Sequence, residues 1–182
     1  APSRLRALAR AEAAKYGAAF RRGRATAAWR CSGGFAVRTD GTIVRGRTLL
    51  LATGVRDDLP SIPGLLRFYG VGVHHCPYCD AWPYRDRVIA AFGPGRHGLG
   101  LAKSLLTWSR RVVVLTNGKR LGSSASAEAR ALGILVRTEA IAELTGGRRL
   151  RGVTFTSGQP ERVDALFFNT EKTQRSTLPV RL

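Results

Sequence analysis

His74-His75-Cys76-Pro77-Tyr78-Cys79-Asp80 gathers the most reactive side chains of this chain into seven positions. Two residues between the cysteines let the sulfurs close a small ring, and Pro77 restricts the loop between them. Such a pair suits thiol–disulfide exchange, in which one thiolate attacks a substrate disulfide and the other resolves the mixed intermediate. A neighbouring histidine lowers a thiol pKa or accepts its proton, so His75 joins Cys76 and Cys79 as a candidate. Zinc is the alternative: the two sulfurs and one of His74 or His75 supply three ligands. No second C-x-x-C completes the set, and Cys31 is the only other thiol. An inert buried pair is the third reading. Redox chemistry without a metal is the favoured one.

A second constellation follows. Val88-Ile89-Ala90-Ala91-Phe92 is a continuous apolar run of the kind a buried parallel strand shows. Gly93-Pro94-Gly95-Arg96-His97-Gly98 fits G-x-G-x-x-G. A helical pattern over Leu99 to Trp108 and the strand-like Val112-Val113-Val114-Leu115 come next. The first glycine permits a tight turn and the second lets backbone approach a pyrophosphate. The third lets the helix pack close to the strand, with the helix N-terminus holding the phosphate charge. Gly93, Gly95, Arg96, His97 and Gly98 are therefore candidate nucleotide-binding residues. After the second strand stands Thr116-Asn117-Gly118-Lys119-Arg120, without the carboxylate that holds the ribose of NAD. Lys119 and Arg120, with Asn117 beside them, are candidates for the 2′-phosphate of NADP; an ordinary solvated loop is the alternative.

The elements that carry these residues are laid out in a repeat. Residues 1–54 read as a helix from Leu5 to Tyr16, then Gly17 and a short extended run, Ala18-Ala19-Phe20. A hairpin turning at Asp40-Gly41 follows, and the strand Thr48-Leu49-Leu50-Leu51 ends at Ala52-Thr53-Gly54. Residues 124–170 follow the same plan: a helix over Ser126 to Leu132, Gly133, Ile134-Leu135-Val136, and a hairpin turning at Ser157-Gly158. The strand Ala165-Leu166-Phe167-Phe168 then ends at Asn169-Thr170. Gly17 precedes Gly54 by 37 residues, and Gly133 precedes Thr170 by 37. The pairs Gly33-Gly34 and Gly146-Gly147 fall at comparable places. Two copies of one α/β unit are expected. The second is preceded by a complete strand–glycine loop–helix–strand unit and the first is not; with the absent methionine, this leads us to expect a fragment of a longer protein.

The chain's 182 residues suffice for one ordinary domain or two small ones. No apolar run approaches the roughly 20 residues of a membrane helix, and Ala1-Pro2-Ser3-Arg4 does not open a secretory signal. A cytoplasmic protein without a membrane partner is expected, in which a disulfide framework is not. The net charge of +18 invites a nucleic-acid partner. The arginines are scattered, however, as in Arg21-Arg22, Arg110-Arg111 and Arg148-Arg149, and only four of the thirty basic residues are lysine. We read this as a compositional bias and expect no nucleic-acid partner.

Leu49 to Gly54 (LLLATG), Leu59 to Gly64 (LPSIPG), HHCPYCD and the glycine loop together resemble the thioredoxin reductase group of pyridine nucleotide–disulfide oxidoreductases. HCPYC and the later LTNG are most similar to a bacterial branch related to the fungal dithiol oxidases. The resemblance implies an α/β fold: a Rossmann-like nicotinamide domain, a parallel sheet plus a β-meander, inserted into an incomplete second Rossmann-like domain for FAD. Residues 1–62 would belong to the FAD domain and 63–168 would form the NAD(P) domain with the redox pair. Residues 169–182 would begin the return. It implies FAD and NADP, or NAD, as cofactors, with Ala52, Thr53 and Gly54 near the flavin. Cys79 would be the thiol nearest the flavin, Cys76 the interchange thiol and Asp80 the general acid–base. A homodimer is implied for the full-length form. The chain departs from the pattern in having Ala81-Trp82-Pro83 where that branch has Gly-Trp-Glu, and in lacking His-Arg-Arg after the second nicotinamide-domain strand. Glu171 also stands where a small residue is common.

The expected function is electron transfer from NAD(P)H through flavin to Cys76–Cys79 and on to a thioredoxin-like protein or small disulfide. One alternative runs the flow backward, oxidising a small dithiol with oxygen as acceptor; another is a basic Cys/His zinc module. Since most flavin-binding segments of this family lie outside the chain, the 182 residues alone are expected not to hold FAD tightly.

Overall fold

The computed structural model describes residues 2–182 and divides into two units. One comprises the residues up to Arg56 together with Gln174–Leu182, and the other is Asp57–Thr173. The chain passes between them at two short strands, β4 (Val55–Asp57) and β13 (Lys172–Gln174).

The Asp57–Thr173 unit is built on a five-stranded parallel sheet. Its strands are β5 (Val73–His74), β6 (Ile89–Phe92), β7 (Val112–Leu115), β8 (Leu135–Arg137) and β12 (Ala165–Phe168). Their order is β5-β12-β6-β7-β8, with every neighbouring pair parallel. Strands β6, β7 and β12 are buried on both faces, which is why they are unbroken apolar runs rather than alternating ones. Ile89, Ala91, Val112, Val114, Ala165 and Phe167 pack with α4 (Gly95–Leu105) and α5 (Ser123–Ala131). Val73, Ala90, Val113, Leu115, Leu166 and Phe168 face the other way, onto α2 (Leu65–Phe68) and an antiparallel meander. The meander has the order β11-β10-β9, formed by Ile141–Gly146 (β9), Leu150–Phe155 (β10) and Glu161–Arg162 (β11). The result is an open α/β arrangement of helix, sheet and meander layers, as the expected fold class requires. Two short elements, α3 (Pro77–Asp80) and a 3₁₀ turn (Trp82–Tyr84), lead from β5 toward β6. The helix over Leu99 to Trp108 instead starts four residues earlier and ends at Leu105, because it begins inside the glycine loop.

The other unit contains α1 (Pro2–Lys15), the meander β1-β2-β3 (Ala27–Cys31, Gly34–Thr39, Thr42–Gly46) and the short α6 (Leu178–Arg181). The repeat seen in the sequence is present in the backbone. Strands β2 and β10 are both six residues long and are both the central strand of a meander. Helices α1 and α5 also end alike. Ala18 N–H reaches Ala13 C=O and Gly17 N–H reaches Ala14 C=O; Ile134 N–H reaches Ala129 C=O and Gly133 N–H reaches Arg130 C=O. This is one capping motif used twice, and it demands the left-handed φ of 80° at Gly17 and 67° at Gly133.

One expected strand is absent. Thr48-Leu49-Leu50-Leu51 pairs with nothing among the described residues, and Leu50 is 88% exposed. A strand exists through its ladder, so an apolar run without a neighbour stays extended and unpaired.

Candidate redox and nucleotide site

Because all five strands of the sheet are parallel, their C-terminal ends share one edge, where ligands of open α/β sheets bind. Each candidate segment of this unit leaves from that edge. His75 and the cysteine pair follow β5, Asn169 to Glu171 follow β12, the glycine loop follows β6 and Thr116 to Arg120 follow β7. With strands spaced about 4.8 Å apart, β5 and β6, with β12 between them, put their exits roughly 10 Å apart.

Cys76 and Cys79 form a disulfide with a Cα–Cα distance of 5.3 Å. Cys76 is the N-cap of α3, Pro77 occupies the first turn, and Cys76 Sγ accepts the Cys79 N–H at 3.2 Å. Proline fits here because the first turn of a helix needs no N–H from it. In the reduced pair the same N–H would favour a thiolate at Cys76. Cys79 is exposed and Cys76 half-buried. Cys31 is a free thiol in the other unit.

The two histidines diverge, since consecutive strand residues point to opposite faces. His74 turns to the helix side, stacked on Phe167 at 5.4 Å between ring centroids and beside Tyr84 at 5.5 Å. Its Nε2 lies 3.2 Å from Tyr84 Oη, which donates to Val71 C=O at 3.1 Å. Its Nδ1 lies 3.7 Å from Asp80 Oδ2. Burial lowers the His74 pKa, with Asp80 opposing and His75 adding to the effect. His75 turns to the meander side, where Nδ1 meets Tyr69 Oη at 3.0 Å and the rings stack. Tyr69 Oη also lies 3.3 Å from Asp57 Oδ2; burial first and then Asp57 raise its pKa. The other oxygen of Asp57 is buried without a partner. Thus Asp80 approaches His74 rather than the His75 singled out in the sequence.

Tyr78, between the two cysteines, belongs to a cluster of three aromatic rings with Trp82 and Trp108. Tyr78, 77% exposed, and Trp82, 62% exposed, both meet Trp108 edge-on, and the Arg85 guanidinium sits 4.5 Å from the Trp82 ring centre. No pattern in the sequence ties Trp108, at the end of another helix, to the cysteine loop.

In the glycine loop, a Cβ at Gly98 would meet Gly93 O at 2.3 Å and Val114 Cγ1 at 3.2 Å. Helix α4 therefore closes on the loop and on β7 as far as hydrogen permits. Gly95 has φ +52° with open space where a side chain would project. No side chain caps α4, and its His97 N–H donates to Pro94 C=O at 3.2 Å. His97 lines a cavity of about 350 Å³ with Phe92, Pro94, Asn169, Thr170 and Glu171. Arg96 reaches Ser124 of α5 at 3.4 Å.

Beyond β7, Asn117 takes φ +51° and its Oδ1 accepts the Ile141 N–H at 2.8 Å, so it fastens the start of β9. Thr116 Oγ1 donates to Lys119 C=O. Lys119 and Arg120 are exposed at the same edge. Ala52, Thr53 and Gly54 lie in the other unit, where Thr53 lines a cavity of about 790 Å³ with Arg24, Asp40, Arg175 and Arg181. Among the described residues no group of three or more His, Cys, Asp or Glu side chains is arranged to hold a metal ion. Among the described residues, no helix is long and apolar enough to cross a membrane.

No protein-family model matches the chain. A probable thioredoxin reductase of Arthroderma benhamiae is 36% identical over 78 residues, 43% of this chain and 19% of that protein. The thioredoxin reductase of Aquifex aeolicus is 29% identical over 113 residues, 62% of this chain and 35% of that one. A solved structure of a putative thioredoxin reductase from Bacillus anthracis matches 100% of this chain and 62% of its own, with a TM-score of 0.88 and 29% identity. The chain thus spans less than two thirds of the length of the proteins it matches. The chain is similar to thioredoxin reductases, in fold over its whole length and in sequence over about half of it.

Proposed function

We propose that this chain is part of a flavin- and nicotinamide-dependent disulfide oxidoreductase, with Cys76–Cys79 as the pair that passes electrons to a disulfide substrate. One observation carries the reading: a formed, solvent-accessible C-x-x-C disulfide and a strand–glycine loop–helix leave the same edge of one parallel sheet.

The residues of the Asp57–Thr173 unit fit a nicotinamide dinucleotide. Gly93 and Gly98 allow the close loop–helix contact, Gly95 leaves room for phosphate, and the uncapped start of α4 offers N–H donors. We assign Gly93, Gly95, Arg96, His97 and Gly98 to its pyrophosphate, and Lys119 and Arg120 to an NADP 2′-phosphate. Asn117 supports that loop through Ile141. Ala52, Thr53 and Gly54 would flank a flavin; among the described residues of their unit no glycine loop joins a strand to a helix. The domain reading that goes with this assigns residues 1–62 to an FAD domain, 63–168 to the nicotinamide domain and 169–182 to the return.

When bound, the cofactors supply the electron pair that reduces Cys76–Cys79. The chain's residues then perform the exchange. Cys76 thiolate, favoured by the Cys79 N–H, attacks one sulfur of the substrate; Cys79 attacks Cys76 Sγ and releases the second product thiol. Asp80, directly after Cys79, supplies and receives protons. A thioredoxin-like protein or a small disulfide is the substrate class, and a homodimer the expected assembly.

The test is the full product of the gene, supplied with FAD. It should consume NADPH or NADH while reducing a disulfide dye, and Cys76→Ser should abolish dye reduction. Flavin-dependent oxidation of a dithiol with oxygen uptake, and no nicotinamide consumption, would reverse the direction. Neither reaction would remove the proposal.

A further inference from the structure

The Tyr84 hydroxyl has a single proton, and Val71 C=O accepts it at 3.1 Å. The Tyr84 oxygen facing His74 Nε2 at 3.2 Å is then an acceptor, so Nε2 must carry the hydrogen. The ring, buried, stacked on Phe167 and tilted against Tyr84, is held in that orientation. Nδ1 is therefore a lone pair while the ring is neutral, the form that burial favours. That lone pair faces Asp80 Oδ2 at 3.7 Å. The distance exceeds a hydrogen bond, but the Asp80 side chain is 43% exposed and free to turn toward it. Two acceptors facing each other gain nothing until one carries a proton. The charged and titratable groups that act here are Asp80 from α3, His75 from the end of β5, and Tyr84 from the 3₁₀ turn. Arg149, between β9 and β10, acts on Tyr84.

We propose that His74 is a positioning residue for Asp80: held as the Nε2–H tautomer by Tyr84, it turns a lone pair to Asp80, so that a proton Asp80 exchanges with the redox pair is held between the two side chains. This rests on the reading that Cys76–Cys79 exchanges with disulfides. In that exchange the Cys76 thiolate forms a bond to a substrate sulfur, the substrate S–S bond breaks, and the leaving thiolate takes the Asp80 proton. Cys79 then loses its proton to Asp80, attacks Cys76 Sγ and expels the second thiolate, which takes that proton. Two electrons pass from the pair to the substrate. The opposite tautomer, with hydrogen on Nδ1, would already fill the space between the two side chains and leave no place for that proton.

The test uses the whole chain with its pair reduced. Nitrogen-15 NMR of the imidazoles should show His74 as the Nε2–H tautomer at neutral pH; the Nδ1–H tautomer overturns the proposal. Reaction rates are then compared for two disulfides: hydroxyethyl disulfide, whose leaving thiolate is basic and needs a proton, and dithionitrobenzoate, whose leaving thiolate does not. In His74→Phe the ratio of the first rate to the second should fall about fivefold, the factor one hydrogen bond supports. Tyr84→Phe, which keeps the imidazole but frees its tautomer, should lower the ratio in the same direction. A general loss of structure would slow both disulfides alike; an unchanged ratio in both variants overturns the role of His74. If the reduced wild-type chain reacts with neither disulfide, the redox reading itself falls, whatever tautomer the NMR shows.

Discussion

Gly98 and Gly100 lie two residues apart on helix α4 and should respond to the same substitution with opposite signs. A Cβ at Gly98 would stand 2.3 Å from Gly93 O, 3.1 Å from Gly93 C and 3.2 Å from Val114 Cγ1. Two of those atoms are backbone, held by the Gly93 N–H bond to Leu115 C=O, and cannot swing aside. Gly98→Ala must push the helix off the loop and off β7. Overpacking of this kind costs about 1–3 kcal/mol, and the backbone contact places this case at the upper end. A Cβ at Gly100 meets nothing within 4 Å. Gly100→Ala then only restricts the unfolded chain and raises helix propensity, a gain of about 0.5–1 kcal/mol. The two variants should differ by roughly 3 kcal/mol, about two orders of magnitude in the folding equilibrium. Urea unfolding followed by Trp82 and Trp108 fluorescence, in a Trp29→Phe background, reads the Asp57–Thr173 unit alone. Gly98→Ala should also weaken NADPH binding, since the loop must open where the pyrophosphate is assigned. A Gly98→Ala variant as stable as wild type, or a Gly100→Ala variant less stable than Gly98→Ala, would refute the close-packing argument.

Burial lowers the His74 pKa, so below about pH 6.5 the unfolded chain takes up a proton that the folded one resists. Wild-type Tm should drop as pH falls from 7 to 5, and His74→Phe should flatten that slope; equal slopes in scanning calorimetry would contradict it. Arg137 donates from Nε and Nη2 to the Glu139 carboxylate, from Nη1 to Glu161 and from Nη2 to Gln159 C=O, and lies 4.3 Å from the Phe155 ring centre. Arg137→Met should destabilise the meander by about 2–3 kcal/mol, seen as faster amide exchange at β10 and β11. Asn117→Ala loses both the bond to Ile141 and a residue suited to φ +51°, at a cost of about 2 kcal/mol. Asn117→Gly, which keeps the backbone freedom, should recover about half of it in the same urea titration.

The parallel sheet was legible because β6, β7 and β12 are buried on both faces and so carry uninterrupted apolar runs. The meanders were legible through their turns, Asp40-Gly41 and Ser157-Gly158, and through two glycines that end helices. The same reasoning misread Thr48 to Leu51. Its apolar run carries the local signal of a strand, but a strand also needs a partner, and pairing is not a property of the run itself. The cysteine pair and the glycine loop were visible because their chemistry depends on spacing within one segment. Trp108, Tyr69, Tyr84 and Asp57 were not, because each reaches the site from a different segment through tertiary packing.

His74 and His75 illustrate how little a local motif says about which neighbour acts on it. Read as a string, both histidines adjoin the cysteine pair, and the one in direct sequence contact looks the better partner. In the sheet, alternation sends them to opposite faces, and the faces are unlike. On the helix side His74 finds Tyr84, whose hydroxyl is already committed to Val71, and is left with a lone pair toward Asp80. On the meander side His75 finds Tyr69, and beyond it a carboxylate at Asp57 with one oxygen buried and unpartnered. The pair therefore follows two differently wired histidines: one buried and turned toward a half-exposed acid, the other bonded to a tyrosine that reaches a carboxylate. A one-residue slip of β5 against β12 would exchange the two environments while leaving the motif intact. The register Leu166 to Val73 and Phe167 to His74 is thus as much a part of the redox site as the cysteines.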